Sequence, residues 1–285
     1  MLAVPAHAHG IALQQDGPRL FAHIRQQPAG QLVQGHHVIA VGDQALHAIA
    51  DGAIRQACAT VLALAGRGIG ELVVLDHALA EARDLGCETL ATASYIDSRY
   101  EPAVRLLESA GMVWADPDNC NMTMLHDPDA PPAGKPVLPP GFSLRTWQPG
   151  DEVVWTRLKN EAFGDDTPLG WWERVFGEQP WFDPRGWHFC MDGDRPVGIS
   201  AAVLPRHPET GELLGAQIDW VGMLADYRGL GLGRALVVAC INFALQFRPD
   251  LFVLITQRFR TSAVALYESL GFRAVMDWRH YRMAL

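Results

Sequence analysis

The rhythm of apolar and polar positions changes twice between Ala216 and Arg248. AQIDWVGM alternates as a half-buried strand does, and YRGLGLG then breaks the pattern with three glycines. From Arg234 onward RALVVACINFALQF repeats its apolar positions at helical spacing, so the stretch predicts strand, tight turn and helix. The next apolar run, LFVLITQ at 251–257, is short and rich in β-branched residues, as a buried strand is. A helix from Thr261 closing on Gly271-Phe272 follows it. Upstream, Phe142 to Trp147 predicts a strand and Asp151 to Phe163 a helix with Asp151 as its N-cap. Residues 187–204 predict a hairpin turning at Asp192-Gly193, and 209–215 a further turn.

The first part of the chain repeats this plan more faintly. Gln31 to Val41 and Gln56 to Leu64 predict strands. Ala65-Gly66-Arg67-Gly68-Ile69-Gly70-Glu71 then leads into a helical pattern that Gly86 ends as a C′ glycine. CETLATASY predicts a strand, and EPAVRLLESAGM at 101–112 parallels TSAVALYESLGF at 261–272, about 160 residues on. This self-similarity implies a tandem duplication. The earlier copy has Ala65 where the later has Arg228, and Leu107 where the later has Tyr267. The boundaries that follow are 1–127 for a degenerate first domain, 128–140 for a linker rich in proline and glycine, and 141–285 for the second domain.

Composition changes the picture only by exclusion. Apolar residues make up 49% and charged residues 19% of 285, the balance of an ordinary globular chain with room for two domains. No uncharged apolar run reaches the length of a membrane span, and the N-terminus lacks the basic segment of a signal peptide, so no membrane partner is expected. Five cysteines, odd in number and without a C-x-x-C pair, suit reduced thiols in a cytoplasm. A net charge of −9 disfavours nucleic acid as a partner. His7, His9, His36 and His37 lack further ligands at metal-like spacing, so no metal is expected. Cys190 and Cys240 stand in no motif of a thiolate nucleophile.

The chemistry is concentrated at Arg228-Gly229-Leu230-Gly231-Leu232-Gly233-Arg234. Alternate glycines leave the turn's amides unshielded, and the helix that follows points its positive end at the same place, so an anionic phosphate is the expected guest. The spacing fits neither a Walker A loop nor the dinucleotide G-x-G-x-x-G fingerprint. A glycine turn with no ligand is the alternative reading. The run resembles the acetyl-CoA signature of the GNAT superfamily of N-acetyltransferases, Gln/Arg-x-x-Gly-x-Gly/Ala, with Arg228, Gly231 and Gly233 at its defining positions. The ending Leu266-Tyr267 to Gly271-Phe272 looks like the family's last helix and following strand. The duplication and the Trp181-Phe182-Asp183-Pro184 run are similar to the tandem GNAT architecture of mycothiol synthase.

The resemblance implies two tandem folds of the α/β (α+β) class, each a mixed, mostly antiparallel sheet flanked by helices. It also implies acetyl-CoA as cosubstrate and a small primary amine as acceptor. Pantetheine would pair with the backbone at Val221, Gly222 and Met223, where Gly222 leaves room for close approach. The position of the family's acid is Gln217, so Asp219, two residues on, is nominated as base. Alternation puts Gln217, Asp219, Val221 and Met223 on one face. Tyr267 stands where the family protonates the CoA thiolate, and Arg260 where many members carry a pantetheine-binding Asn. Trp171, Trp172 and Trp181 fall where such folds cover the acceptor, or else belong to the core. A non-catalytic acyl-CoA-binding module is the rival, favoured by Gln217 and Arg260 and opposed by Tyr267.

Overall fold

A computed structural model of the chain describes residues 59–61, 79–80, 82–84, 86–92, 96–177, 179, 182–207 and 209–285. The expected strand at 31–41, the first glycine turn, the histidines from His7 to His37, Cys58 and Trp181 lie outside the described residues. In chain order the elements are β1 (Ala59–Val61), β2 (Thr89–Thr92), β3 (Ile96–Asp97), α1 (Glu101–Ser109), β4 (Val113–Ala115) and β5 (Asn121–His126). There follow β6 (Phe142–Thr146), α2 (Asp151–Phe163), β7 (Trp187–Asp192), β8 (Arg195–Val203) and β9 (Ala216–Met223). The last four are α3 (Leu232–Ala244), β10 (Phe252–Gln257), α4 (Thr261–Glu268) and β11 (Phe272–Ala284).

These elements fall into two compact units. Of the described residues, 124–255 and 262–273 belong to the larger, and 59–123, 256–261 and 274–285 to the smaller. In the smaller unit β1 runs parallel to β2. The far half of β11 lies antiparallel between β2 and β4, with Arg282 opposite both Ala91 and Val113. Leu90, Leu107 and Tyr281 are wholly buried at its centre. Gly86 ends its helical segment at φ +70, as its position predicted. Helix α1 closes on Gly111 at φ +85 before β4, and α4 closes on Gly271 at φ +90 before β11. The two segments that match in sequence thus share one local geometry.

In the larger unit β6, β7, β8 and β9 form an antiparallel meander, and β10 joins β9 in parallel. The β7–β8 turn sits at Gly193-Asp194, one residue later than expected, because Asp192 still pairs with Arg195. Asp151 is not the N-cap of α2. Gly150 takes that place at φ +95, while the Asp151 carboxylate accepts from Gln148 N–H at 2.7 Å and from the Arg145 guanidinium at 2.6 and 2.8 Å. Helices α2 and α3 cover opposite faces of the sheet. Gly222 faces Phe163 of α2, whereas Ser200, on the other face by strand alternation, meets Cys240 of α3 at 3.1 Å. Part of the proline-rich stretch is fastened in this unit, since Asn242 Nδ2 donates to the Gly134 carbonyl at 2.8 Å and Leu138 packs on the core. Among the described residues no helix is long and apolar enough to cross a membrane.

Candidate active site

Strands β9 and β10 part early. Their parallel ladder covers Ala216, Gln217 and Ile218 against Phe252, Val253 and Leu254, and β9 then runs unpaired on that side to Met223. Just past the parting stands Asp219. Burial pushes its carboxyl up to about 6, against the opposing pull of Gln217, whose Nε2 donates to the two carboxylate oxygens at 2.9 and 3.0 Å. Gln217, itself buried, therefore holds the carboxylate it was expected only to neighbour.

Strict alternation does not survive along β9. Asp219 pairs with Ala201 and Gly222 with Ile199, so two residues, Trp220 and Val221, stand against the single Ser200 in a β-bulge. Trp220 takes the left-handed conformation, φ +56. Gln217, Asp219 and Gly222 thus share one face, and Met223, opposite Gly198, presents the other. The room expected at Gly222 is already taken, because a Cβ there would come within 2.8 Å of Phe163. Its missing side chain lets α2 approach β9.

The glycine turn is open. Gly229 and Gly231 have φ of +80 and +78, which only glycine adopts readily, and a Cβ built on Gly229, Gly231 or Gly233 would meet nothing within 4 Å. Gly231 caps α3 without any side-chain acceptor, so the first amides of a 13-residue helix face outward. Leu230 is exposed, but the Leu232 side chain is core, leaving only its backbone for a ligand. Arg228 ties the turn to its surroundings, donating through Nε to the Met223 carbonyl at 3.2 Å and through Nη2 to the Ala162 carbonyl at 3.1 Å. Arg234 donates to Ser269 Oγ at 2.8 Å.

The Tyr267 ring is buried on α4, edge-on to Phe272 at 6.3 Å. Trp172 belongs to the core, stacked on Trp147 at 4.3 Å, while the half-buried Trp171 lies parallel to Trp155 and edge-on to Trp220. In the smaller unit, Arg260 donates to Gln257 Oε1 at 2.8 Å and lies over the Phe259 ring. Burial pushes the Cys190 and Cys240 thiols up to about 11 and 12, so neither supplies a thiolate at neutral pH.

One polar group was missed. Lys159 of α2 is buried, paired with Asp165 and bonded to Thr167 Oγ1 at 2.6 Å. It lies four residues after Trp155, on the stripe that packs inward, and a charge on such a stripe is the signal that marks it.

A sequence profile of the acetyltransferase (GNAT) family matches residues 153–272. A mycothiol acetyltransferase of Thermobispora bispora is 32% identical over 212 residues, which are 73% of this chain and 68% of that protein. The chain belongs to the GNAT acetyltransferase family. Another relative, a mycothiol acetyltransferase of Geodermatophilus obscurus, is 36% identical over 154 residues, about half of each chain. Among solved structures, a GCN5-related N-acetyltransferase from Sphaerobacter thermophilus superposes with TM-score 0.59 at 23% identity, covering 76% of this chain and 69% of that one. A tandem GNAT protein from the clavulanic acid biosynthesis pathway gives TM-score 0.51 at 18% identity, covering 80% and 75%. Both likenesses concern the fold. For this GNAT acetyltransferase they agree with the mixed, mostly antiparallel sheet flanked by helices.

Proposed function

We propose that the protein transfers the acetyl group of acetyl-CoA to the primary amine of a small molecule by direct attack in a ternary complex, using the larger unit. The amides from Gly229 to Arg234 hold the pyrophosphate, and pantetheine runs along Val221, Gly222 and Met223 where β9 has left β10. An alkylamine is protonated at neutral pH and must lose a proton before it attacks. Asp219 accepts that proton, the neutral amine forms its N–C bond to the thioester carbonyl, and the Met223 N–H meets the oxyanion; as the C–S bond breaks Tyr267 protonates the thiolate, and the second proton shed by the new amide nitrogen restores the Tyr267 phenol. The observation that carries this reading is the Asp219 carboxyl, raised to about 6 beside the parted strands.

The test is the pH profile of kcat/KM. The base works only when ionised, so the native rate rises with pH through about 6. Asp219→Asn lowers it by roughly 10² to 10⁴ near pH 8, the usual contribution of a positioned base, and the gap narrows below 6 where the native carboxyl is itself protonated. A variant profile that matches the native one removes Asp219 from the mechanism. A narrower acceptor, the cysteinyl amine of a pseudo-disaccharide, is supported by the relatives' name, mycothiol acetyltransferase. Mass-spectrometric detection of acetylated product from that amine against simple alkylamines decides between the two.

A further inference from the structure

Two features of the larger unit have no part in the chemistry above: a buried cation and a tryptophan in a conformation that side chains rarely tolerate. The Lys159 ammonium is bonded to Asp165 and Thr167 and lies 5.5 Å from the Trp171 ring centre and 5.1 Å from that of Trp220. Trp220 follows Asp219 directly and forms the bulge at φ +56. Such a backbone persists only where its surroundings enforce it. Here the enforcement comes from α2 and the segment after it. Trp155, Trp171 and Phe163 meet the Trp220 ring edge-on at 5.5, 5.9 and 6.0 Å, and Lys159 sets a positive charge 5.1 Å from its centre.

We propose that Lys159 is a positioning residue for acetyl transfer: by drawing the Trp220 ring toward α2 it fixes the bulge, and with it the direction of the Asp219 carboxylate. An apolar side chain of the same length would fill the space without attracting the ring, and replacing a buried ion pair by apolar groups seldom weakens a fold. The pair's contribution is therefore geometry. The inference rests on the reading of Asp219 as the base. Beside that carboxylate on its own strand is the Gln217 amide; the Cys240 thiol of α3, on the other face of the sheet, feels its charge, and Lys159 of α2 lies over the ring of the next residue, Trp220.

The experiment is a cycle of variants. Lys159→Met is combined with Asp165→Asn, so that no lone charge stays buried, and is measured with Asp219 native and with Asp219→Asn. With Asp219 native, kcat falls by about tenfold while KM for acetyl-CoA stays within about twofold; with Asp219→Asn there is no further fall, because residues acting through one group are not additive. An equal loss in both backgrounds, with Asp219→Asn itself impaired, overturns the inference and leaves the base assignment standing. An unchanged kcat for Asp219→Asn alone overturns both. Should the combined variant fail to fold, Thr167→Val, which removes one oxygen partner of the ammonium and keeps its charge, goes through the same cycle. A loss of a few-fold that vanishes with Asp219→Asn supports the inference, and no loss, or one that persists there, overturns it.

Discussion

At the scale of single residues, Asp219 works against the fold that holds it. The folded chain raises its carboxyl from 3.8 to about 6, so it binds the proton more tightly than the unfolded chain does. A group shifted upward in this way adds stability at low pH and withdraws it as pH climbs from about 4 through 6. Asp219→Asn is therefore more stable than the native chain above pH 6, by up to about 3 kcal/mol, two pK units at roughly 1.4 each, and the difference fades toward pH 4. Urea unfolding at pH 4, 6 and 8 measures it. Burial lowers His188 to about 4, which costs stability as pH falls, but this is common to both proteins and cancels in the difference. For Tyr267 the expected separation is kinetic. Tyr267→Phe keeps the edge-on packing against Phe272, so kcat drops by about 10², the share of a general acid, while KM for acetyl-CoA moves little. An unchanged kcat assigns the thiolate's proton elsewhere. Asp219 and Tyr267 were singled out by the resemblance to the GNAT family, through their places relative to its two glycine-containing motifs. Lys159 was harder to see, since a lysine on a helix is usually solvated and its burial depends on Asp165, Thr167 and two indole rings from other segments.

At the scale of elements, local pattern and structure agree where the signal is local. Helix α2 spans the predicted 151–163, α4 begins at the predicted Thr261, and β10 falls within the predicted 251–257. The bulge in β9 left no such trace. AQIDWVGM is a good regular strand on paper, and only the facing rings and the Ser200 register impose the extra residue. Asp151 misled for a related reason, because a side chain able to cap a helix also fits an arginine, and Arg145 of β6 supplies one. The helix–turn unit itself gives a clean test. Gly233 is helical with open space around its Cβ, so Gly233→Glu folds without strain and sets a negative charge at the end of α3 where the macrodipole welcomes it. The melting temperature stays level or rises slightly, while calorimetric affinity for acetyl-CoA falls by at least about tenfold through like-charge repulsion. Retained affinity places the pyrophosphate elsewhere.

At the scale of the whole molecule, the α/β class and the matched helix–glycine–strand segments were legible because they rest on short-range spacing. The membership of residues 274–285 was not. Nothing in AVMDWRHYRMAL says that its strand should lie between β2 and β4, since that choice is made by backbone partners far away in sequence. The order in which a ribosome delivers the chain gives this pairing a consequence. β2, β3 and β4 emerge well before residues 278–284, which complete their ladders, and all of 124–255 is made in between. The strands of the larger unit from β6 to β9 follow one another in the chain and are all made before residues 278–284. During that interval the edges of β2, β3 and β4 that β11 later pairs carry unmatched amides and carbonyls, and such open edges invite pairing with other chains.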